Sequence, residues 1–169
     1  MPQAALELTF DRADDALVRR GWAAVSERGI RSQADHRGAT NAPHLTIAAA
    51  DRIPRAAFEA VREVLAPVLP RPQVVVGTVL LGGGPYVLAW LVPLDVELRA
   101  AVDVVRREVV PGDERPWVGH VTVARRLPAG RVEDALDALR PHRPAALTPV
   151  SVRCWDPASG TTTDLGARA

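Results

Sequence analysis

His44-Leu45-Thr46-Ile47-Ala48-Ala49-Ala50 and His120-Val121-Thr122-Val123-Ala124-Arg125 are the two stretches that decide how this chain folds and what it does. Each opens on histidine and alternates polar with apolar residues as far as its fourth position. Side chains along a strand point to opposite faces, so His44 and Thr46 share one face and Leu45 and Ile47 the other; His120 and Thr122 stand in the same relation to Val121 and Val123. Burying the apolar faces leaves an imidazole and a hydroxyl projecting from each strand. The 169 residues include only four histidines and nine threonines, and two His-x-Thr coincidences among them arise by chance at about 2%. A single match would say little, whereas two of them, nearly half a chain apart, are informative.

Working outward, Leu6, Leu8 and Phe10 alternate with Glu7 and Thr9 and predict a strand. Asp11 then opens a helix in which Leu17, Val18, Trp22 and Val25 recur at helical spacing until Gly29. Residues 31–43 are polar and turn-rich, an exposed loop leading to the first His-x-Thr strand. Pro54 starts a helix reaching about Leu69, with Phe58, Val61, Val64, Leu65 and Val68 on its apolar face. Residues 73–81 and 86–92, joined by Gly82-Gly83-Gly84-Pro85, predict a hairpin. A helix over 95–110, the second His-x-Thr strand over 118–125, a helix over 132–139 and a strand over 147–155 follow, and a turn at 157–160 leads into a last extended piece. Strands and helices mixed in this order read as α+β, and a His-x-Thr strand at comparable places in each half reads as a diverged internal duplication.

Composition narrows the chemistry. A length of 169 residues with 47% hydrophobic and 24% charged residues suits one globular domain over residues 1–169. No apolar run approaches the roughly 20 residues of a membrane helix, and the N-terminus lacks a basic stretch followed by an apolar one, so a cytoplasmic protein that does not cross a membrane is expected. Cys154, the one cysteine, permits no internal disulfide and no Cys-based zinc site; a small apolar role in a strand is expected for it. The carboxylates show no metal-ligand spacing. A net charge of +1 confines any nucleic-acid contact to a local site. All 21 basic residues are arginine, which excludes a P-loop, a lysine nucleophile and Schiff-base chemistry. Gly82-Gly83-Gly84 is followed by Pro85 and a strand, not by Gly-Lys and a helix, so it is a turn.

Two imidazoles and two hydroxyls match the needs of phosphodiester cleavage without a metal. With ordinary pKa values near 6.5, one neutral imidazole takes a proton from the attacking oxygen while one imidazolium protonates the leaving oxygen. Thr46 and Thr122 can donate hydrogen bonds to the non-bridging oxygens as charge gathers there.

The paired tetrapeptides resemble the HxTx motifs of the two-histidine phosphoesterase superfamily, above all its LigT-like branch of 2′-5′ RNA ligases and RNA 2′,3′-cyclic phosphodiesterases. The resemblance implies a bilobal α+β fold, with two antiparallel-rich sheets about a pseudo-twofold axis facing a central groove and helices on the outer faces. It implies one motif per lobe, with no metal and no cofactor. The implied reaction opens a 2′,3′-cyclic phosphate to a 2′-phosphomonoester, with ligation onto a 5′-hydroxyl as the reverse type of transfer. RNA 3′ ends or small cyclic nucleotides are the implied substrates, with no obligatory protein partner and a monomeric chain; ADP-ribose 1″,2″-cyclic phosphate and a non-catalytic RNA-end binding module are the alternatives. By the family analogy His44 is the general acid and His120 the base.

Arg125 matches the family's arginine after the second motif and is a candidate phosphate binder. Strict alternation puts Arg126, its rival, on the histidine face instead. Trp117 is the best candidate among the tryptophans for stacking on a base, ahead of Trp90 and of Tyr86. His36 and His142 read as solvated loop residues. Gly119 stands where many relatives have proline, and Ala48-Ala49-Ala50 where many have a bulky residue.

Overall fold

The computed structural model describes residues 3–111 and 116–166. In chain order the strands are β1 (Ala4–Phe10), β2 (His44–Ala50), β3 (Gln73–Val74), β4 (Gly77–Leu81), β5 (Tyr86–Leu91), β6 (His120–Leu127), β7 (Ala146–Leu147), β8 (Pro149–Asp156) and β9 (Thr161–Asp164). The helices are α1 (Arg12–Glu27), α2 (Ala57–Leu65), α3 (Val96–Val104) and α4 (Val132–Leu139). The fold is α+β, as expected.

Two antiparallel sheets carry the two tetrapeptides. One has the strand order β2-β1-β8-β9 and the other β4-β5-β6. The His44 strand thus lies at an edge of the first sheet and the His120 strand at an edge of the second, and β2 and β6 come into contact. A two-stranded ribbon pairs β3 with β7. Helix α1 packs against α4 and β6, whereas α2 packs against α3 and the π-helical segment Val105–Val109 that continues it and reaches β2. The helix that follows β1 in sequence therefore covers the strand of the other sheet.

Local chemistry accounts for the helix ends. Asp11 caps α1 by accepting from the Asp14 amide at 2.8 Å, and Asp95 caps α3 by accepting from Glu97 and Leu98. Burial would raise the Asp95 carboxyl, but hydrogen bonds from the Leu98 amide, Arg71 and Gln73 outweigh it and hold the group at about 2. Helix α2 starts three residues later than the proline signal implies, because residues 54–56 form a turn in which Pro54 and Arg55 accept from Ala57 and Phe58. Its end passes into a 3-10 turn, Ala66–Val68, around Pro67, which has no amide hydrogen to continue the helix.

The expected single strand over 73–81 is two. Val75 donates to Ala145 and Val76 to Leu91, so the backbone leaves the β7 ribbon and joins β5 within two residues. One hydrophobic cluster joins Leu6, Leu8, Leu45 and Ile47 of the first sheet to Leu88, Trp90, Val121 and Val123 of the second. Among the described residues no helix is long and apolar enough to cross a membrane.

Candidate active site

Both His-x-Thr strands carry the same irregularity. Glu7 on β1 pairs with Thr46 while Leu6 pairs with Ala48, so Ile47 is an extra residue. On the other sheet Ala89 pairs with Thr122 while Leu88 pairs with Ala124, so Val123 is extra. A bulge directly after the threonine lets two successive residues point inward. Ile47, Ala48, Val123 and Ala124 are accordingly all buried. Each strand is thus anchored immediately beyond its polar pair.

The two imidazoles are held alike. His44 Nδ1–H donates to the Ala42 carbonyl at 2.7 Å, and His120 Nδ1–H donates to the Val118 carbonyl at 2.8 Å, two residues back in each case. With Nδ1 as donor, Nε2 is left on each ring for proton transfer. Both rings are partly exposed, as is Thr46, while Thr122 is 8% exposed and faces inward more than its counterpart.

Indole groups from other segments fix both threonine backbones. Trp22 Nε1–H on α1 donates to the Thr122 carbonyl at 2.9 Å, and Trp117 Nε1–H donates to the Thr46 carbonyl at 3.0 Å. Trp117, expected as a stacking platform, is half-buried, and Arg99 and Arg106 lie 5.1 and 5.9 Å from its ring centroid. Arg106 also donates to the Ile47 carbonyl at 3.0 Å, supporting the bulge of β2.

Position 119 requires glycine for a spatial reason. It is buried, its carbonyl accepts from Val92 at 2.8 Å, and a Cβ placed on it would stand 2.3 Å from the Val92 carbonyl oxygen. No side-chain rotation relieves a clash with backbone. Gly119→Ala is expected to cost about 1–3 kcal/mol in a urea melt and to lower turnover by displacing His120.

The two histidines differ in what faces them. Glu7, 5% exposed in the middle of the first sheet, places Oε1 3.4 Å from His44 Nε2 and accepts from Arg153 Nε and a terminal nitrogen at 2.8 Å each. The register explains the trio: Glu7 lies opposite both Thr46 and Arg153, and diagonal to His44. At the matching position of the second sheet, opposite Thr122, stands Ala89. Burial lowers the His44 pKa below its ordinary value, Glu7 and the Ala42 carbonyl oppose that, and Arg153 and Arg125 add to it, with burial prevailing. Glu7 read in the sequence as one polar position of an alternating strand; being the one charge in that strand was its only signal.

A cavity of about 370 Å³ adjoins this trio, with His44, Glu7, Arg31, Arg125, Arg126 and Arg153 in its wall. His120, Thr46, Thr122 and Trp117 are not among its lining residues. The competition between Arg125 and Arg126 for the histidine face dissolves, because β6 carries a second bulge: Leu88 pairs with Ala124 and Tyr86 with Leu127. Arg126 takes up the extra residue with φ of 57°, and both arginines reach the cavity. His36, exposed in the loop before β2, also borders it, whereas His142 lies in a 3-10 turn after α4. Among the described residues no three His, Cys, Asp or Glu side chains group as metal ligands. Cys154 is buried in β8, and burial, then Asp156 and Glu7, push its thiol up to about 11.

Solved structures share this architecture. Usb1 from Kluyveromyces marxianus matches over 97% of this chain and 96% of its own, with a TM-score of 0.50 at 14% identity. The same protein solved with uridine monophosphate matches over 97% and 98%, with a TM-score of 0.53 at 13% identity. The fold is that of Usb1. The likeness to Usb1 spans nearly the whole chain, so both sheets belong to the shared fold, and at these identities it is a likeness of fold. No family model matches the sequence, and no curated protein matches it.

Proposed function

We propose that this chain is a two-histidine phosphoesterase of the LigT-like kind, a single bilobal unit that opens 2′,3′-cyclic phosphates at RNA ends or on small nucleotides. One observation carries the reading: two His-x-Thr strands share the same bulge and the same Nδ1 lock, which leaves Nε2 of each ring as the atom for proton transfer. That Usb1 was solved with uridine monophosphate adds support from the shared fold for a nucleotide ligand.

In the proposed reaction water attacks the phosphorus of the cyclic phosphate and His120 Nε2 takes its proton. The bond from phosphorus to the 3′-oxygen breaks, and His44 Nε2–H protonates that oxygen, leaving a 2′-phosphomonoester. Thr46 and Thr122 hydroxyls donate to the non-bridging oxygens, where negative charge grows. With an RNA 5′-hydroxyl in place of water, the same transfer makes a 2′-5′ linkage.

The family analogy assigns His44 as the acid; Glu7, which faces its Nε2, favours the imidazolium against the burial that lowers its pKa, while the matching residue on the His120 side is Ala89. Burial lowers the same pKa and makes the imidazolium a stronger donor once formed. Glu7→Gln removes the raising influence, so the His44 pKa falls further. An acid must be protonated to work, so the alkaline limb of the pH–rate profile is expected to move to lower pH in Glu7→Gln; movement of the acidic limb instead would make His44 the base.

The direct test is phosphorus NMR in EDTA with an oligoribonucleotide ending in a 2′,3′-cyclic phosphate, a mononucleoside 2′,3′-cyclic phosphate and ADP-ribose 1″,2″-cyclic phosphate. Conversion of the first two to 2′-phosphates supports the proposal; no turnover of any of the three overturns it.

A further inference from the structure

The arginine-lined cavity beside His44 has more cationic groups than the reacting phosphate accounts for. Arg153 is committed to Glu7. Arg31, Arg125 and Arg126 line the same cavity, and none of the three has a hydrogen-bond or ion-pair partner among the described residues. Elsewhere many guanidiniums are paired, as in Arg19 with Asp15, Arg71 with Asp95 and Arg99 with Asp103. Three unpaired cations gathered around one concavity repel one another unless an anion joins them.

The backbone is arranged to bring them there. Strict alternation would send Arg125 and Arg126 to opposite faces of β6, yet the second bulge, with Arg126 in the left-handed region at φ of 57°, turns both to the cavity. A residue other than glycine holds that conformation at a cost, and such outliers concentrate where a site needs them. Arg31 is carried by a loop that holds itself. Ser32 and Asp35 cap the turn Gln33–Asp35 reciprocally, Ser32 Oγ donates to the Trp22 carbonyl at 2.7 Å, and the Asn41 amide donates to the Gln33 and His36 carbonyls at 2.9 and 2.7 Å.

We propose that this cavity is a second phosphate subsite, taking the phosphate on the 5′-oxygen of the nucleoside whose cyclic phosphate is opened. The proposal rests on the phosphodiesterase reading and on its assignment of His44 to the 3′-oxygen. That assignment puts the ribose on the His44 side, and the cavity is bounded by His44 but not by His120. Guanidinium groups suit phosphate because their N–H forks donate two parallel hydrogen bonds to its oxygens. The preferred substrate is then a nucleotide with a 5′-phosphate or an RNA chain, in which that phosphate is the preceding diester, and not a bare nucleoside cyclic phosphate.

Calorimetry separates this from the hydrolytic reading, because it needs no turnover. The probes are uridine 2′-monophosphate, uridine 2′,5′-bisphosphate and the diuridine dinucleotide with a terminal 2′-phosphate. The wild type is expected to bind at least one of the two probes with a second phosphate about tenfold or more tighter than the monophosphate, the scale of one charged hydrogen-bonding contact. A gain with the bisphosphate alone identifies a 5′-monoester site, and a gain with the dinucleotide identifies a site for the chain. The gain is expected to disappear in Arg31→Ala and in Arg126→Asn, where asparagine tolerates the left-handed backbone. Equal affinity for all three probes, or a gain that survives in both variants, overturns the subsite. Turnover of uridine 2′,3′-cyclic phosphate is measured separately. Turnover without a second-phosphate preference rejects the subsite and keeps the phosphodiesterase; the preference without turnover does the reverse.

Discussion

Replacing His120 by alanine is expected to lower kcat on a 2′,3′-cyclic phosphate by about 10²–10⁴-fold, and His44→Ala by a similar factor, the usual contribution of a positioned proton-transfer group. The double variant is expected to lose far less than the product of the two, since both protons move in one displacement and the groups act as a unit. Neither change should unfold the chain. Each ring is partly exposed, and each gives up one hydrogen bond to a carbonyl two residues back, so circular dichroism and the urea midpoint serve as controls. Wild-type kcat in either single variant, with the fold intact, would remove that histidine from the reaction.

The largest expected loss of stability is at Trp90. Its side chain is fully buried, it pairs across the sheet with Val121 and Thr78, and it lies so close under α1 that a Cβ on Gly21 would be 2.4 Å from its ring. Trp90→Ala is expected to cost about 3–5 kcal/mol in urea unfolding, from lost burial and the cavity left behind. In a domain of this size that lowers Tm by about 10 °C. Trp90→Phe should cost clearly less. Besides keeping a ring in the site, it removes an indole N–H that finds no hydrogen-bond partner among the described residues, and a buried donor without a partner carries a penalty of about 1–3 kcal/mol. Equal losses in the two variants would show that the N–H is satisfied and that the indole's outer ring carries the packing.

The strand His44–Ala50 was legible to the residue, because alternation and a polar loop before it leave no other reading. The faces of both tetrapeptides followed from the same period of two. What alternation could not show is where it breaks. The extra residues Ile47 and Val123, and the left-handed Arg126, depend on pairing with Leu6, Glu7, Leu88 and Ala89 on neighbouring strands, and no local pattern encodes that register. For the same reason Glu7 and Arg153, some 146 positions apart, gave no sign of meeting beside His44. Trp117 carries a contact that its position did not suggest either: its indole N–H binds the backbone of the other motif. Residues 73–81 read as one strand since every residue suits a strand, and only the change of partner at Val75 and Val76 divides them.

The claim that the two tetrapeptides form one site is tested most directly by a crystal structure of the protein with a nucleoside 2′-monophosphate, the proposed product. The expected result is a phosphate within hydrogen-bond distance of Nε2 of both His44 and His120, with the Thr46 and Thr122 hydroxyls on its oxygens. A phosphate seated among Arg31, Arg125 and Arg126, with His120 Nε2 facing solvent, would contradict it.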